Sequence, residues 1–245
     1  MPNFQEINSK IQKFLLDQKI DAYGLADKKY KLPLSDALFC AEDTVRNKFF
    51  FQAIKKALEN LKLEKKEIIV VDAGSGTGIL GIFALLLGAD KCYFLEHNPF
   101  TLDLSKKVLD FFNLSEKSQV IHCDATKHEL AEKYDLLISE TLSSDFFKED
   151  FPLIVKNLQR YAQKKSIVIP GKFEVLLSEY DDFENKLEEK KFVFKADKIE
   201  QKNNFKAKNK NTTNIHITTK ACLYDDVWIN DGDCMSFLNK QVIRI

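Results

Sequence analysis

VVDAGSGTGILG, Val70 to Gly81, is the stretch on which the fold turns. Ile68–Asp72 (IIVVD) is a short run of β-branched residues ending in an acid, the pattern of a buried strand. Gly74, Gly76 and Gly78 follow at alternate positions, and an apolar run then opens a helix. Glycine is needed where backbone passes close to a ligand or takes a positive φ. A strand, a glycine-rich turn and a helix in that order predict one βα unit of a parallel sheet, with a ligand at the turn.

Two cofactor classes use such a turn. A dinucleotide reading finds G-x-G-x-x-G at Gly76, Gly78 and Gly81, with an acid 20 residues beyond Gly76 at Glu96. In that class the first glycine directly follows the strand, so that a pyrophosphate reaches the helix N-terminus. Here Asp72-Ala73-Gly74-Ser75 intervenes, and the Asp72 carboxylate stands where a phosphate would be repelled. A cofactor with no phosphate and a cationic amino group would be attracted there instead.

Outward from this turn the chain alternates strand and helix, which predicts a parallel sheet with crossover helices. A helix from about Thr77 stops near Gly88, and further strands are expected at Lys91–Glu96, Gln119–Cys123, Tyr134–Ser139 and Ser166–Ile169, the last closed by Pro170-Gly171. Asn98-Pro99 reads as a helix start, with Asn as cap and Pro in the first turn. Upstream, one helix is expected from about Ala41 to Leu63, and Phe4, Ile7, Ile11, Phe14 and Leu15 recur at the spacing of an amphipathic docking helix. Beyond Gly171 come alternating stretches, FEVLLSEY, KFVFKA, NIHITT and ACLYDDVWI, with a polar Lys198–Asn211 loop between them. The expected fold is therefore α/β: a Rossmann-like sheet at 64–171, an N-terminal helical cap at 1–63 and a small β-rich substrate region at 172–245.

Composition narrows the partners. Lys and Arg number 37 against 37 Asp and Glu, so no global field draws nucleic acid or an anionic membrane, and neither is an expected partner. The five cysteines fall singly, without a CxxC pair, which suits reduced packing thiols rather than disulfides or a metal site. No signal peptide opens the sequence and no stretch approaches the roughly 18 apolar residues of a membrane span, so a cytoplasmic protein is expected.

Asp72-Ala-Gly74-Ser-Gly76-Thr-Gly78 resembles the first motif of the class I S-adenosylmethionine-dependent methyltransferases, an acid followed by G-x-G-x-G. The resemblance implies S-adenosylmethionine as cofactor, Glu96 at the end of the second strand holding the ribose hydroxyls, and Asp124 in VIHCDA meeting the adenine amino group. Taken singly, each acid is equally a helix cap or a solvated loop residue. Within that class, AEDTVRNKFFFQAI (Ala41–Ile54) resembles the D-x-x-R helix of protein arginine methyltransferases, which implies that Arg46 clamps the cofactor carboxylate. A guanidinium fork suits a carboxylate; the alternative is a surface arginine paired with Glu42.

LLISETLSSDFFKED places Glu140 and Glu149 nine residues apart and resembles the double-glutamate loop of the same family. Guanidinium nitrogens carry delocalised lone pairs and a pKa above about 12, so they are poor nucleophiles. Two carboxylates would fix the guanidinium plane and leave its remaining nitrogen freer to attack. The implied activity is N-methylation of a guanidino nitrogen on an arginine-like small molecule, peptide or protein. Alternatives are another N or O nucleophile, with His97 or His128 as base, and a catalytically silent methyltransferase fold that only binds. The family's Thr-His-Trp loop has no counterpart after Pro170, where the sole tryptophan, Trp228, lies in DDVWIND; Tyr23 and Tyr30 do not reproduce its tyrosine pair.

Overall fold

A computed structural model describes residues 3–18, 32–142, 150–198, 209–236 and 241–244. Strands β1 (Ile69–Ala73), β2 (Lys91–Glu96), β3 (Ser118–His122), β4 (Tyr134–Ile138) and β5 (Ala162–Ile169) pair in the order β3-β2-β1-β4-β5, all parallel. The central strands are apolar on both faces because both are covered: Val70, Val71, Phe94, Leu136 and Leu137 have no solvent exposure. Strand order reverses at β1, with β2 on one side and β4 on the other, so the crevice for a ligand opens above the carboxyl ends of β1 and β4.

The fifth strand runs four residues earlier than expected, from Ala162, because the Lys-rich AQKK segment conceals a register shift against β4 with Lys165 at φ 66°. Its bulge breaks the alternation that marks a strand in sequence.

Helices α1 (Phe4–Asp17), α2 (Leu34–Glu42), α3 (Thr44–Lys62), α4 (Ile79–Leu86), α5 (Pro99–Phe111) and α6 (Phe151–Leu158) surround the sheet. The single helix expected from Ala41 is two. Asp43 leaves the helical region at ψ 86° and caps α3, its carboxylate accepting from the Arg46 amide at 3.0 Å. Docking of α1 follows the expected stripe, burying Ile7, Ile11 and Leu15, while Phe4 packs on Phe51 and Phe83 at ring separations of 5.4 and 6.1 Å. Gln12 of α1 braces the α2–α3 break, donating to the Ala41 and Glu42 carbonyls at 3.2 and 3.0 Å. Asn98 caps α5 as the sequence predicts. Among the described residues no helix is long and apolar enough to cross a membrane.

The tail forms a second, antiparallel sheet from β6 (Lys172–Tyr180), β7 (Lys186–Lys195), β8 (Asn214–Tyr224), β9 (Val227–Ile229) and β10 (Gln241–Arg244), ordered β10-β8-β6-β7 with β9 also on β8. NIHITT and the start of ACLYDDVWI, read as separate stretches, fuse into the eleven-residue β8, since Thr219, Ala221 and Leu223 continue one buried face. Asp225-Asp226 then turns the chain back into β9. Phe173, Ala221, Leu223, Val227 and Ile229 join the core of the parallel sheet, and Phe173 meets Phe151 of α6 edge-on at 5.3 Å. Most of the expected Lys198–Asn211 loop lies outside the described residues.

Candidate active site

A cleft opens at the carboxyl ends of β1 and β4, where Arg46, Asp72, Gly74, Gly76 and Glu140 all contribute to the lining. The glycine turn is drawn down onto β2, with the Gly74 and Ser75 amides both donating to the Leu95 carbonyl, at 2.8 and 3.1 Å. A methyl at Gly74 would lie 2.3 Å from Thr141 Cγ2, so the chain leaving β4 crosses directly over the turn. Gly78, at φ 80°, takes the left-handed conformation that starts α4. The Ser139 hydroxyl fastens this crossing by donating to the Ala73 carbonyl at 3.0 Å. The next residue, Glu140, is thereby aimed into the cleft.

Arg46 is 4% exposed and lies one turn into α3. Its guanidinium pairs with the Glu140 carboxylate through Nη2, while Nη1 donates to Asn47 Oδ1 at 2.9 Å and to the Cys40 carbonyl at 3.3 Å. Phe50 packs against the guanidinium, 5.2 Å from its ring centroid. The surface pairing with Glu42 therefore does not occur. Buried Nε has no hydrogen-bond partner, and neither has the Ser75 hydroxyl on the glycine turn. Both residues line the cleft.

The acids divide by burial. Asp72 accepts from the Gly81 amide at 2.8 Å and so ties the end of β1 to the first turn of α4. Burial pushes its carboxyl up to about 7, with the Gly81 bond and Arg46 pulling it back. Burial likewise raises the Glu140 carboxyl, against the pull of Arg46. Glu96 is 6% exposed and lies behind the turn: one oxygen accepts from the Gly76 amide, the other from the His97 and Asn98 amides, all at 2.7 Å. Burial raises its carboxyl and those three bonds hold it back. Each carboxylate oxygen has two acceptor sites, so the oxygen bonded to Gly76 retains capacity for one further donor. Neither Glu96 nor Asp124 lines the cleft, and Asp124 is also exposed. Asp124 caps its own turn, accepting from the Thr126 hydroxyl at 2.6 Å and amide at 2.9 Å, and the hydroxyl bond holds its carboxyl below the usual range.

Glu149, the second expected glutamate, and Tyr23 and Tyr30 lie outside the described residues. Neither His97 nor His128 lines the cleft. Sequence reading passed over Asn47, which joins Arg46 to the Ala41 carbonyl at 2.8 Å and to Asn8 of α1 at 3.2 Å. A signal was present, since Asn8 interrupts the apolar stripe between Ile7 and Ile11 and is 2% exposed. Cys40, taken as a packing residue, lines the cleft; burial pushes its thiol up to about 11, so it stays protonated near neutrality.

Residues 53–159 match the family model of ribosomal protein L11 methyltransferase (PrmA). Protein arginine N-methyltransferase 7 of Xenopus laevis is 29% identical over 113 residues, 44% of this chain and 16% of that protein. Protein arginine N-methyltransferase 6 of Danio rerio is 24% identical over 168 residues, 68% of this chain and 46% of that protein. The chain thus spans less than half the length of these curated relatives. Among solved structures, Arabidopsis thaliana protein arginine methyltransferase 10 superposes with a TM-score of 0.66 over 86% of this chain and 81% of that one, at 14% identity. That likeness establishes the fold: a Rossmann-like methyltransferase sheet joined to an antiparallel β-region.

Proposed function

We propose that the chain binds S-adenosylmethionine at this cleft and methylates a guanidino nitrogen of an arginine-like acceptor, on a peptide, protein or small molecule. The observation that carries the reading is Arg46: a buried guanidinium on the wall of the cleft beside the glycine turn, paired with Glu140. A guanidinium fork suits the cofactor carboxylate. Asp72 in its charged form suits the cofactor ammonium, the turn of Gly74, Gly76 and Gly78 is assigned to the cofactor with Gly76 leaving room for its approach, and Glu96 suits the ribose. Asp124 is assigned to the adenine amino group.

When bound, the cofactor supplies an electrophilic methyl on a sulfonium. Glu140, aimed into the cleft by the Ser139 anchor, and Glu149 hold and orient the acceptor guanidinium. Burial makes the Glu140 carboxylate a stronger base, which suits it to take the proton the nitrogen sheds on methylation. Acceptor binding is assigned to residues 172–245, which reach the helix of Arg46 at Ser236. Five free cysteines support a reducing, cytoplasmic setting.

Label transfer from methyl-labelled cofactor to arginine peptides, free arginine and a metabolite extract tests the reading. Transfer to guanidino nitrogen is expected, with Glu140→Gln and Glu149→Gln each lowering kcat/KM about 30- to several-thousand-fold. Transfer to oxygen or a ring nitrogen, with both variants near full turnover, would contradict it. Cofactor binding without any transfer would instead favour a binding module.

A further inference from the structure

The helix that carries Arg46 is closed at its start by a residue from the far end of the chain. Asp43, the N-cap of α3, is 1% exposed. One carboxylate oxygen accepts from the Arg46 amide; the other accepts from both the amide and the hydroxyl of Ser236, at 2.8 and 2.9 Å. Ser236 is delivered by a short turn after β9, in which the Asn230 amide and side chain both donate to Asp233, and by Cys234, which is buried in the main core. The same hydroxyl neighbours the Cys40 thiol on the cleft wall.

This contact is not needed to dock the second sheet on α3. Farther along the helix, Lys56 pairs with Asp225 and Asp226, and Asn60 donates to the Tyr224 hydroxyl at 2.6 Å, so the β8–β9 hairpin is already fastened there. What Ser236 adds falls at the end of α3 where Arg46 stands. Two donors converging on one oxygen satisfy the buried carboxyl group that caps the helix. We propose that Ser236 is a positioning residue for the cofactor clamp: by holding Asp43 it fixes the first turn of α3 and so the direction in which Arg46 presents its guanidinium. The proposal rests on the reading of Arg46 as that clamp, and it makes the β-rich tail part of the cofactor site.

Calorimetric titration of the full chain with S-adenosylhomocysteine separates the two. Ser236→Ala should weaken binding about 3- to 10-fold and Ser236→Thr should restore it to within about twofold, since Thr keeps the hydroxyl donor. In an Arg46→Ala background the Ser236→Ala change should have no further effect, because its influence passes through Arg46. Amide exchange at Arg46 and Asn47, both bonded to Asp43, should quicken in Ser236→Ala in the ligand-free protein while that at Lys55–Leu61 stays as in the wild type. Unchanged affinity in Ser236→Ala, an equal loss in both backgrounds, or unchanged exchange in the first turn would each overturn the inference while leaving the Arg46 reading intact. Wild-type protein that binds no S-adenosylhomocysteine would overturn the Arg46 reading itself.

Discussion

At the Arg46 end of the glycine turn, the charged groups are buried and held from several sides. Arg46 is gripped by Glu140, Asn47 and the Cys40 carbonyl, while Asp72 is anchored to the Gly81 amide. At the end of β3, Asp124 has a side chain 44% exposed, bonded only within its own turn to Thr126 and approached by Lys127 at 3.4 Å. A buried polar group must be satisfied in place and is therefore preorganised; an exposed one is satisfied by water until a ligand arrives. The first region should dominate both stability and cofactor affinity, and the second should tune affinity alone.

The largest effect is expected where the buried network is cut. Glu140→Ala leaves the Arg46 guanidinium inside the protein without its carboxylate, which should destabilise the ligand-free chain by about 3–5 kcal/mol in urea unfolding. S-adenosylhomocysteine should then raise the melting temperature of the variant more than that of the wild type, because its carboxylate replaces the lost partner. A loss below about 1 kcal/mol would show that the pair is not part of a preorganised site.

Asp72 gives the comparison a pH axis. Its folded carboxyl lies near 7, above the ordinary value of 3.8 for an unfolded chain, so folding favours the protonated form. Its contribution is therefore fully present below about pH 4 and is lost as pH rises through 7. Asp72→Asn should abolish that loss, gaining on the wild type by up to about 4 kcal/mol between pH 4 and pH 8, an upper bound at roughly 1.4 kcal/mol per unit. Affinity for S-adenosylhomocysteine should move the opposite way, rising several-fold from pH 6 to 8 as the carboxylate that meets the ammonium forms, and losing that rise in Asp72→Asn. A pH-independent difference between the two proteins would place Asp72 outside the titrating set.

The smallest effect belongs to Asp124. Asp124→Ala should change stability by no more than about 0.5 kcal/mol, as for most exposed positions. Its effect on S-adenosylhomocysteine affinity should be a few-fold at most, read by calorimetry. A loss as large as that of Arg46→Ala would mean that the two regions are equally built.

The same contrast explains what could be read from sequence. The β1–glycine–α4 unit was legible because strand, acid, glycines and apolar helix are contiguous and each is demanded by backbone geometry. The clamp role of Arg46 is implied only by resemblance, and its burial and pairing with Glu140, 94 positions away, have no local signal. Ser236 on Asp43 is more remote still, and a serine in DGDCMSF carries no mark of its partner. Errors in the elements have local causes: Asp43 interrupts a pattern whose apolar spacing continues across it, and the bulge at Lys165 hides half of β5. Glu96 and Asp124 show the limit of position alone, since lying at a strand end brought neither into the cleft lining.

Titration of the purified chain with S-adenosylhomocysteine and, separately, NAD tests the central claim most directly, with Arg46→Ala as control. The account predicts binding of S-adenosylhomocysteine, no comparable binding of NAD, and a loss of about 10- to 150-fold in Arg46→Ala, the equivalent of one charge-assisted bond at roughly 1.4 kcal/mol per tenfold. Tighter binding of NAD, or S-adenosylhomocysteine held equally well by Arg46→Ala, would contradict it.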